Sequence, residues 1–205
     1  MSKITLTLAS ALAVALGIGG CATTQAEDPV KKTLLESFKA RGIAGLDRLD
    51  QNETQRLCSQ YPTSADVPKS VAEGVQKREM AAIKYPADGK YLGDWKSGEK
   101  IAQGGRGMTW RDKPDTVNGA NCYACHQLRK QELSFGNIGP TLYHYGRVRG
   151  NSEETLKYTW GKIWNSHAYQ ACSNMPRFGA AGILTEKQIK DVMALLLDPL
   201  SPVNE

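Results

Sequence analysis

The stretch that decides the fold is Cys122-Tyr123-Ala124-Cys125-His126, which has the pattern C-x-x-C-H. This pattern is the attachment signal for c-type haem, because two thiols one helical turn apart can add to the two vinyl groups of a single porphyrin. The next residue, His126, then presents its imidazole to the iron. The motif predicts one covalently bound haem c, with thioethers at Cys122 and Cys125 and with His126 as an axial ligand.

Two other chemistries use closely spaced cysteines. A zinc site needs a second pair of Cys or His residues at ligand spacing, and the sequence contains no such pair. A thioredoxin-type C-x-x-C lies where a strand meets a helix in a βαβ pattern, which this sequence lacks. Covalent haem attachment is therefore the favoured interpretation.

The second axial ligand must come from another part of the chain. Met175, in Asn174-Met175-Pro176, lies in a loop about fifty residues after the haem motif, and Met/His ligation is typical of electron-transfer haems. A thioether raises the reduction potential and fills the sixth position of the iron. The rival ligands are His144 and His167, although His167 falls on an apolar helical stripe, which favours a partly buried histidine. Met193 fits core packing better, because it lies on the apolar face of the last helix, and Met80 and Met108 precede the haem motif, where small c-type cytochromes do not keep their distal ligand.

A glycine-rich segment follows the haem histidine at residues 136–142, with the sequence GNIGPTL. In small c-type cytochromes, a Gly-Pro pair at this place positions the proline carbonyl to accept a hydrogen bond from the second ring nitrogen of the histidine. We therefore expect the carbonyl of Pro140 to hold the ring of His126. The alternative is an ordinary turn, since Gly-Pro is a general turn signal.

Residues 1–21 have the pattern of a secretory signal peptide, with Lys3 before a short apolar run that ends in small residues. The segment Ile18-Gly19-Gly20-Cys21 is similar to a bacterial lipobox, which predicts cleavage before Cys21 and lipid attachment to its sulfur. The alternative is ordinary cleavage further on, for example after Ala26. Either outcome predicts export to the periplasm, and any membrane attachment would be through an anchor.

Export to an oxidising compartment favours disulfide bonds between the cysteines that haem does not use. Once Cys21, Cys122 and Cys125 are assigned, Cys58 and Cys172 are left. We predict that these two form a disulfide, the alternative being two free thiols. Such a bond would tie the N-terminal part of the chain to the loop that carries Met175.

Helix signals place an all-α domain at residues 91–205, with the class I cytochrome c fold. One helix is predicted over 94–103, a second starts in Asn151-Ser152-Glu153-Glu154, and a third follows the capping box that begins at Thr185. Residues 106–120 are expected to form a surface insertion. Residues 22–90 are predicted to be a helical extension, with a first helix that ends at Gly42, a second boxed by residues 50–53, and a third striped by Val71, Val75 and Ile83.

Charge and composition exclude some classes of protein. The chain has 205 residues, 26 Lys and Arg against 21 Asp and Glu, and 40% hydrophobic residues, which argues against wholesale disorder. A net charge of +5, without any block of five like charges, does not indicate a nucleic-acid-binding protein.

The order of motifs resembles the SoxX family of monohaem cytochromes over roughly residues 91–198. The matching segments are GDWKSGEKIAQGGRG, NCYACH, FGNIGPTL and NMPRFGAAGILTEKQIKDVMALL. The most specific of these beyond the haem motif is Met175 to Gly179 followed by Gly182 to Thr185. The long N-terminal extension departs from short family members.

The resemblance implies a role as the cytochrome subunit of the SoxAX complex, an L-cysteine S-thiosulfotransferase of periplasmic thiosulfate oxidation. It implies a SoxA-like cytochrome as partner in a heterodimer, a carrier protein whose cysteine receives thiosulfate, and an external acceptor cytochrome c. It also implies no catalytic residues in this chain, because the chemistry occurs on the partner subunit.

Two functions of other classes compete with this role. A free or lipid-anchored electron shuttle would need charges around the haem edge, for which Arg147, Arg149, Lys157 and Lys162 are candidates. A small peroxidase or ligand sensor would need an open position on the iron, which ligation by Met175 excludes.

Overall fold

The structure is a computed structural model that describes residues 28–205. The predicted signal peptide, lipobox and cleavage sites lie outside the described residues. Within residues 28–205 there is no β-strand, so the predicted all-α class is confirmed. The α-helices are α1 Pro29–Ser37, α2 Glu53–Cys58, α3 Lys69–Ala81, α4 Trp95–Gln103, α5 Tyr145–Arg149, α6 Glu153–Trp164 and α7 Glu186–Leu197.

The crossing of α4 and α7 is the most extensive helix contact in the described chain. A Cβ atom at Gly98 would overlap the backbone carbonyl of Asp191, so the absence of a side chain lets the two backbones touch. Leu195 packs at the same point. The carboxylate of Asp191 also accepts a hydrogen bond from the backbone N–H of Asp94, at 2.9 Å. This close crossing of the first and last helices of the domain is the one expected from the sequence.

Local capping explains where these two helices begin. Asp94 accepts hydrogen bonds from two backbone N–H groups in the first turn of α4. At the start of α7, Thr185 and Gln188 form the predicted capping box, each side chain bonded to the backbone of the other. These bonds satisfy N–H groups that have no partner within the helix, and each cap is worth about 1 kcal/mol.

A single hydrophobic core runs through the domain and into the extension. Trp160 is completely buried at its centre, and its indole N–H donates to the backbone carbonyl of Lys84 at 2.8 Å. The ring of Tyr91 meets Trp160 edge-on, at 5.8 Å between centroids. Ile83 belongs to the same cluster. The boundary predicted between residues 90 and 91 therefore does not separate two cores.

The helices of the extension differ from their predicted bounds. The first ends at Ser37 and not at Gly42, because Arg41 and Ala44 exchange two backbone hydrogen bonds around Gly42, whose φ of 51° is left-handed. The apolar residues Val30 and Phe38 of this segment stay exposed, at 64% and 53%.

The second and third helices of the extension need smaller corrections. The capping box of α2 joins Asn52 to Gln55 and does not involve Asp50, which forms an ion pair with Lys31 instead. In α3, Val75 is buried as the stripe predicts, but Ile83 follows the end of the helix.

The insertion at residues 106–120 folds back on itself and contacts both the N-terminal extension and the helical domain. Gly119 donates a backbone hydrogen bond to Arg106 at 2.9 Å, which closes the insertion at its base. The side chain of Asn118 donates to the carbonyl of Ile183, and the ring of Trp110 packs under the guanidinium of Arg41 at 3.5 Å. The insertion thus bridges the extension and the domain.

Among residues 28–205, no helix is both long enough and apolar enough to cross a membrane.

Candidate functional site

The C-x-x-C-H motif forms a tight turn immediately after the strained residue Asn121, whose φ of 49° is left-handed. A single 3₁₀ turn, Cys122–Ala124, contains the first thiol, and the carbonyl of Cys122 accepts hydrogen bonds from the N–H groups of Cys125 and His126, at 3.0 and 2.9 Å. Both thiols and the imidazole therefore come from one compact turn of backbone. This is the local geometry that joining two vinyl groups of one porphyrin requires.

The ring of His126 is held by the backbone of the glycine-rich segment. Its Nδ1 lies 2.6 Å from the carbonyl oxygen of Pro140. Because a carbonyl can only accept, Nδ1 must carry the proton and donate it, so the neutral ring keeps a lone pair on Nε2. A histidine prepared in this way is typical of metal ligation, in which the second nitrogen is bonded to a backbone carbonyl.

Two glycines bring the segment against the motif. Gly139 donates its backbone N–H to the carbonyl of Cys125 at 2.8 Å, and a Cβ atom at this position would overlap the imidazole of His126. Gly136 donates to the carbonyl of Tyr123 at 2.9 Å, and a Cβ atom there would overlap the backbone of Ala124. Pro140 is predicted from the sequence, but this role of the two glycines is not, although the pattern Gly-x-x-Gly-Pro could have indicated it.

Cys122 and Cys125 do not have the properties of a thiol–disulfide redox pair. Cys122 and Cys125 are not bonded to each other, whereas Cys58 and Cys172 form a disulfide with their Cα atoms 5.7 Å apart. Burial raises the pKa of the Cys122 thiol to about 12. A thioredoxin-type attacking thiol needs the opposite shift, toward the thiolate at neutral pH. The environment of Cys122 therefore disfavours thiol–disulfide exchange.

The donor set fits a haem better than a metal ion bound by protein alone. In residues 28–205, no three His, Cys, Asp or Glu side chains lie close enough together to hold a metal ion. An iron at His126 would need most of its ligands from a macrocycle, which a porphyrin supplies. Apolar side chains that are only partly buried pack against the core, and they include Ala120, Leu142, Trp164, Met175 and Ile183.

Met175 lies in a loop, and hydrogen bonds with two serines hold its backbone carbonyl and its backbone N–H. Its backbone carbonyl accepts a hydrogen bond from the hydroxyl of Ser166 at 2.6 Å, and its N–H donates to the hydroxyl of Ser173 at 3.2 Å. Beyond it, Gly179 donates to the carbonyl of Trp164 at 3.1 Å and lies against the indole face, where a Cβ atom would overlap the ring. The loop is therefore built onto the end of α6.

The two rival histidines are engaged elsewhere. The ring of His144 stacks on Tyr143 at 3.7 Å, and its Nε2 donates to the carbonyl of Glu205. His167 was expected on the stripe of α6, but that helix ends at Trp164, and His167 lies in a separate 3₁₀ turn, Ser166–Ala168. Its Nε2 donates to the carbonyl of Ser173 at 3.2 Å. Burial lowers the pKa of His167, which keeps the ring neutral.

Of the other methionines, Met193 occupies the core position that the apolar face of the last helix predicts. Met193 is completely buried in α7, whereas Met80 and Met108 are exposed. A buried polar cluster, in which the amide of Asn165 donates to the carboxylate of Glu79, is not predicted from the sequence. No short motif marks it, because its members are distant in sequence.

Comparison with known proteins identifies a matching family and a relative. A family model described as cytochrome c matches residues 115–198, which contain the C-x-x-C-H turn, Pro140 and Met175. A protein of Aquifex aeolicus (strain VF5) described as an uncharacterized lipoprotein is 38% identical over 157 residues. The match covers 76% of this chain and 73% of the Aquifex protein.

Proposed function

Residues 115–198 form a cytochrome c domain, and from this premise we propose that the chain is an electron-transfer protein with one haem c, attached at Cys122 and Cys125 and ligated by His126 and Met175. The all-helical class I fold agrees with the family. The observation that carries the proposal is the bond from Nδ1 of His126 to the carbonyl of Pro140, beside two unbridged thiols. When bound, the haem supplies reversible one-electron chemistry.

The side chains of this protein hold and tune such a group. The hydrogen bond to Pro140 sets the orientation and basicity of the imidazole of His126. Met175, as a further iron ligand, would raise the reduction potential and would leave no coordination position for a substrate or for oxygen. The site is therefore suited to passing electrons and not to transforming a substrate.

The more specific proposal is that the chain is the cytochrome subunit of a periplasmic thiosulfate-oxidising complex, an L-cysteine S-thiosulfotransferase. Its support is the resemblance of residues 91–198 to the SoxX family. Among residues 28–205, the disulfide and the haem turn together account for all four cysteines. No further thiol in this part of the chain is free to carry a sulfur substrate, which agrees with catalysis on a partner cytochrome.

In this proposal the chain receives the electrons released when thiosulfate is joined to a cysteine of a carrier protein. It then passes them to an external cytochrome c. The partners are a SoxA-like subunit in a heterodimer, the carrier protein through the complex, and the acceptor cytochrome.

A lipid-anchored electron shuttle is the second candidate. The observation that favours it is the Aquifex relative, which is described as a lipoprotein, together with the lipobox-like segment before Cys21. The cations expected to ring the haem edge favour it less, because they have partners within the chain. Lys157 pairs with Glu153 at 2.6 Å, and Lys162 lies over the ring of Tyr169. Either candidate places the protein outside the cytoplasm.

The experiment that separates the two is an affinity purification of the tagged full-length protein from its native periplasm and membranes. A second c-type cytochrome, co-eluting at near-equal amount, together with reduction of the haem by thiosulfate plus the carrier protein, is the expected result. A lone cytochrome that thiosulfate and carrier do not reduce would overturn the complex in favour of the shuttle. Cys21→Ser serves as a matched variant, because it abolishes membrane association only if Cys21 is acylated.

A further inference from the structure

The extension contributes a buried carboxylate, Glu79, which contacts residues before and after Met175 in the chain. Glu79 is near the end of α3 and is only 9% exposed. Around it are Thr54 and Asn165, both essentially inaccessible to solvent. A buried charge is costly unless it is paired and hydrogen-bonded, so its partners define what it does.

Glu79 bonds to groups on both sides of the boundary between extension and domain. On the extension side, the hydroxyl of Thr54 donates to Oε1. On the domain side, the amide of Asn165 donates to Oε2 at 2.8 Å, and the guanidinium of Arg177 lies 3.8 Å from the same oxygen. Burial raises the pKa of Glu79, but the hydrogen bonds from Thr54 and Asn165 and the charge of Arg177 outweigh it, so the net shift is downward and the carboxylate stays ionised.

The two domain partners of Glu79 flank Met175 along the chain. Asn165 immediately precedes Ser166, whose hydroxyl donates to the carbonyl of Met175 at 2.6 Å. Arg177 is two residues beyond Met175. The carboxylate of Glu79 therefore links Asn165, which is next to the residue that supports the Met175 carbonyl, to Arg177, which follows Met175.

The packing around this carboxylate makes the connection rigid. Helix α3 packs against the turn Ser166–Ala168, which carries the Ser166 contact. The amide of Gln76, one turn earlier on α3, donates to the carbonyl of Tyr169 at 3.1 Å. The Cys58–Cys172 disulfide fixes the loop only at a point three residues before Met175. Glu79 instead contacts one residue that precedes Met175 along the chain, Asn165, and one that follows it, Arg177.

We propose that Glu79 is a positioning residue for the Met175 ligand, so that the N-terminal extension is part of the haem site and not an appendage. The inference rests on the proposed function in one respect, which is that Met175 ligates the iron. Loss of the carboxylate would free the loop to move, and the weak thioether would then yield more readily to another ligand.

The test uses ferric holoprotein of the full chain and titrates it with imidazole, which competes with methionine for the iron. The charge-transfer band of methionine-ligated ferric haem and the reduction potential are recorded on the same samples. Glu79→Gln removes the charge while keeping the shape. Thr54→Val removes one hydrogen bond to the carboxylate, together with the bond that Thr54 accepts from Arg78, and serves as a milder variant if Glu79→Gln does not fold. The control is Glu73→Gln, because Glu73 is on the same helix but is exposed and pairs only with Lys69.

We expect Glu79→Gln to bind imidazole about tenfold more tightly than the wild type, because a hydrogen bond to a charged group is typically worth at least that factor. We also expect a lower reduction potential, a smaller shift in the same direction for Thr54→Val, and no change for Glu73→Gln. A purely structural role would lower the denaturant midpoint while leaving the imidazole affinity of the folded protein unchanged.

Two results would overturn the inference in different ways. If the wild type shows the methionine band and both Glu79→Gln and Thr54→Val bind imidazole as the wild type does, Glu79 does not position the ligand, and the proposed function stands. If the wild type itself lacks the band, the assignment of Met175 fails, and the inference fails with it.

Discussion

The carbonyl oxygen of Pro140 lies 2.6 Å from Nδ1 of His126, and the backbone that supplies this carbonyl reaches the imidazole only because Gly139 has no side chain. The carbonyl orients the ring and selects its tautomer, while the glycine allows the close approach. The second of these requirements is tested by adding a single methyl group.

Gly139→Ala should strongly reduce the amount of haem-bearing protein, because the new Cβ atom would overlap the ring of His126 and displace it. Overpacking of this kind typically costs about 1–3 kcal/mol. The measurement is the yield of covalent haem per polypeptide after co-expression with a haem-attachment system. Gly74→Ala is the matched control, because nothing lies within 4 Å of a Cβ atom there, and a normal yield is expected. Equal yields from the two variants would contradict the packing described for Gly139.

Met175→Ala should abolish the charge-transfer band of methionine-ligated ferric haem and lower the reduction potential. We expect a fall on the order of 0.1 V, within the range of about 0.8 V over which axial ligands set potentials. Potentiometric titration and near-infrared absorption measure both effects. Met80→Ala is the control, since Met80 is exposed on α3 and should leave both properties unchanged. A band that survives in Met175→Ala would assign the sixth ligand to another residue.

The double variant Cys58→Ser/Cys172→Ser should be less stable by about 3–5 kcal/mol. The two cysteines are 114 residues apart, and a cross-link that closes a loop of this length removes a large entropy from the unfolded chain. The free energy of unfolding, from denaturant titration, gives the value. Reduction of the wild type before the titration should produce the same loss and should have no effect on the variant. An unchanged stability after reduction would argue against the bond.

Stability should fall as the pH drops below about 6.5, in part because of His167. Burial lowers its pKa in the folded protein below the usual 6.5, so in this range the unfolded chain binds a proton that the folded chain excludes. The loss begins near pH 6.5 and continues until the pH reaches the folded-state pKa. Unfolding free energies measured between pH 8 and pH 5 test this, and His167→Gln should flatten the slope. A slope that persists unchanged in His167→Gln would assign the effect to other groups.

The extension shows where prediction from sequence failed. Apolar residues recur at Val30, Leu34 and Phe38, a spacing that predicts an amphipathic helix, yet Val30 and Phe38 stay exposed, Leu34 is only partly buried, and the helix ends at Ser37. Periodicity reports the conformation that a segment favours, but burial depends on whether another element faces it. The position of His167 has a similar explanation. The apolar stripe of α6 continues past Trp164 in the sequence, but the helix ends there. His167 lies in the turn that follows, and its ring donates to the carbonyl of Ser173 in the Met175 loop.

The sequence by itself determined the haem turn, the helix starts at Asp94, Ser152 and Thr185, and the pairing expected of Cys58 with Cys172. Capping and the C-x-x-C-H spacing act between residues a few positions apart, so their chemistry is legible without a fold. The disulfide followed from counting thiols. Only the tertiary structure decided that Gly139 contacts the imidazole and that Glu79 meets Asn165, 86 residues away. A buried carboxylate takes whichever donors the packing brings within reach, and no local pattern encodes that choice.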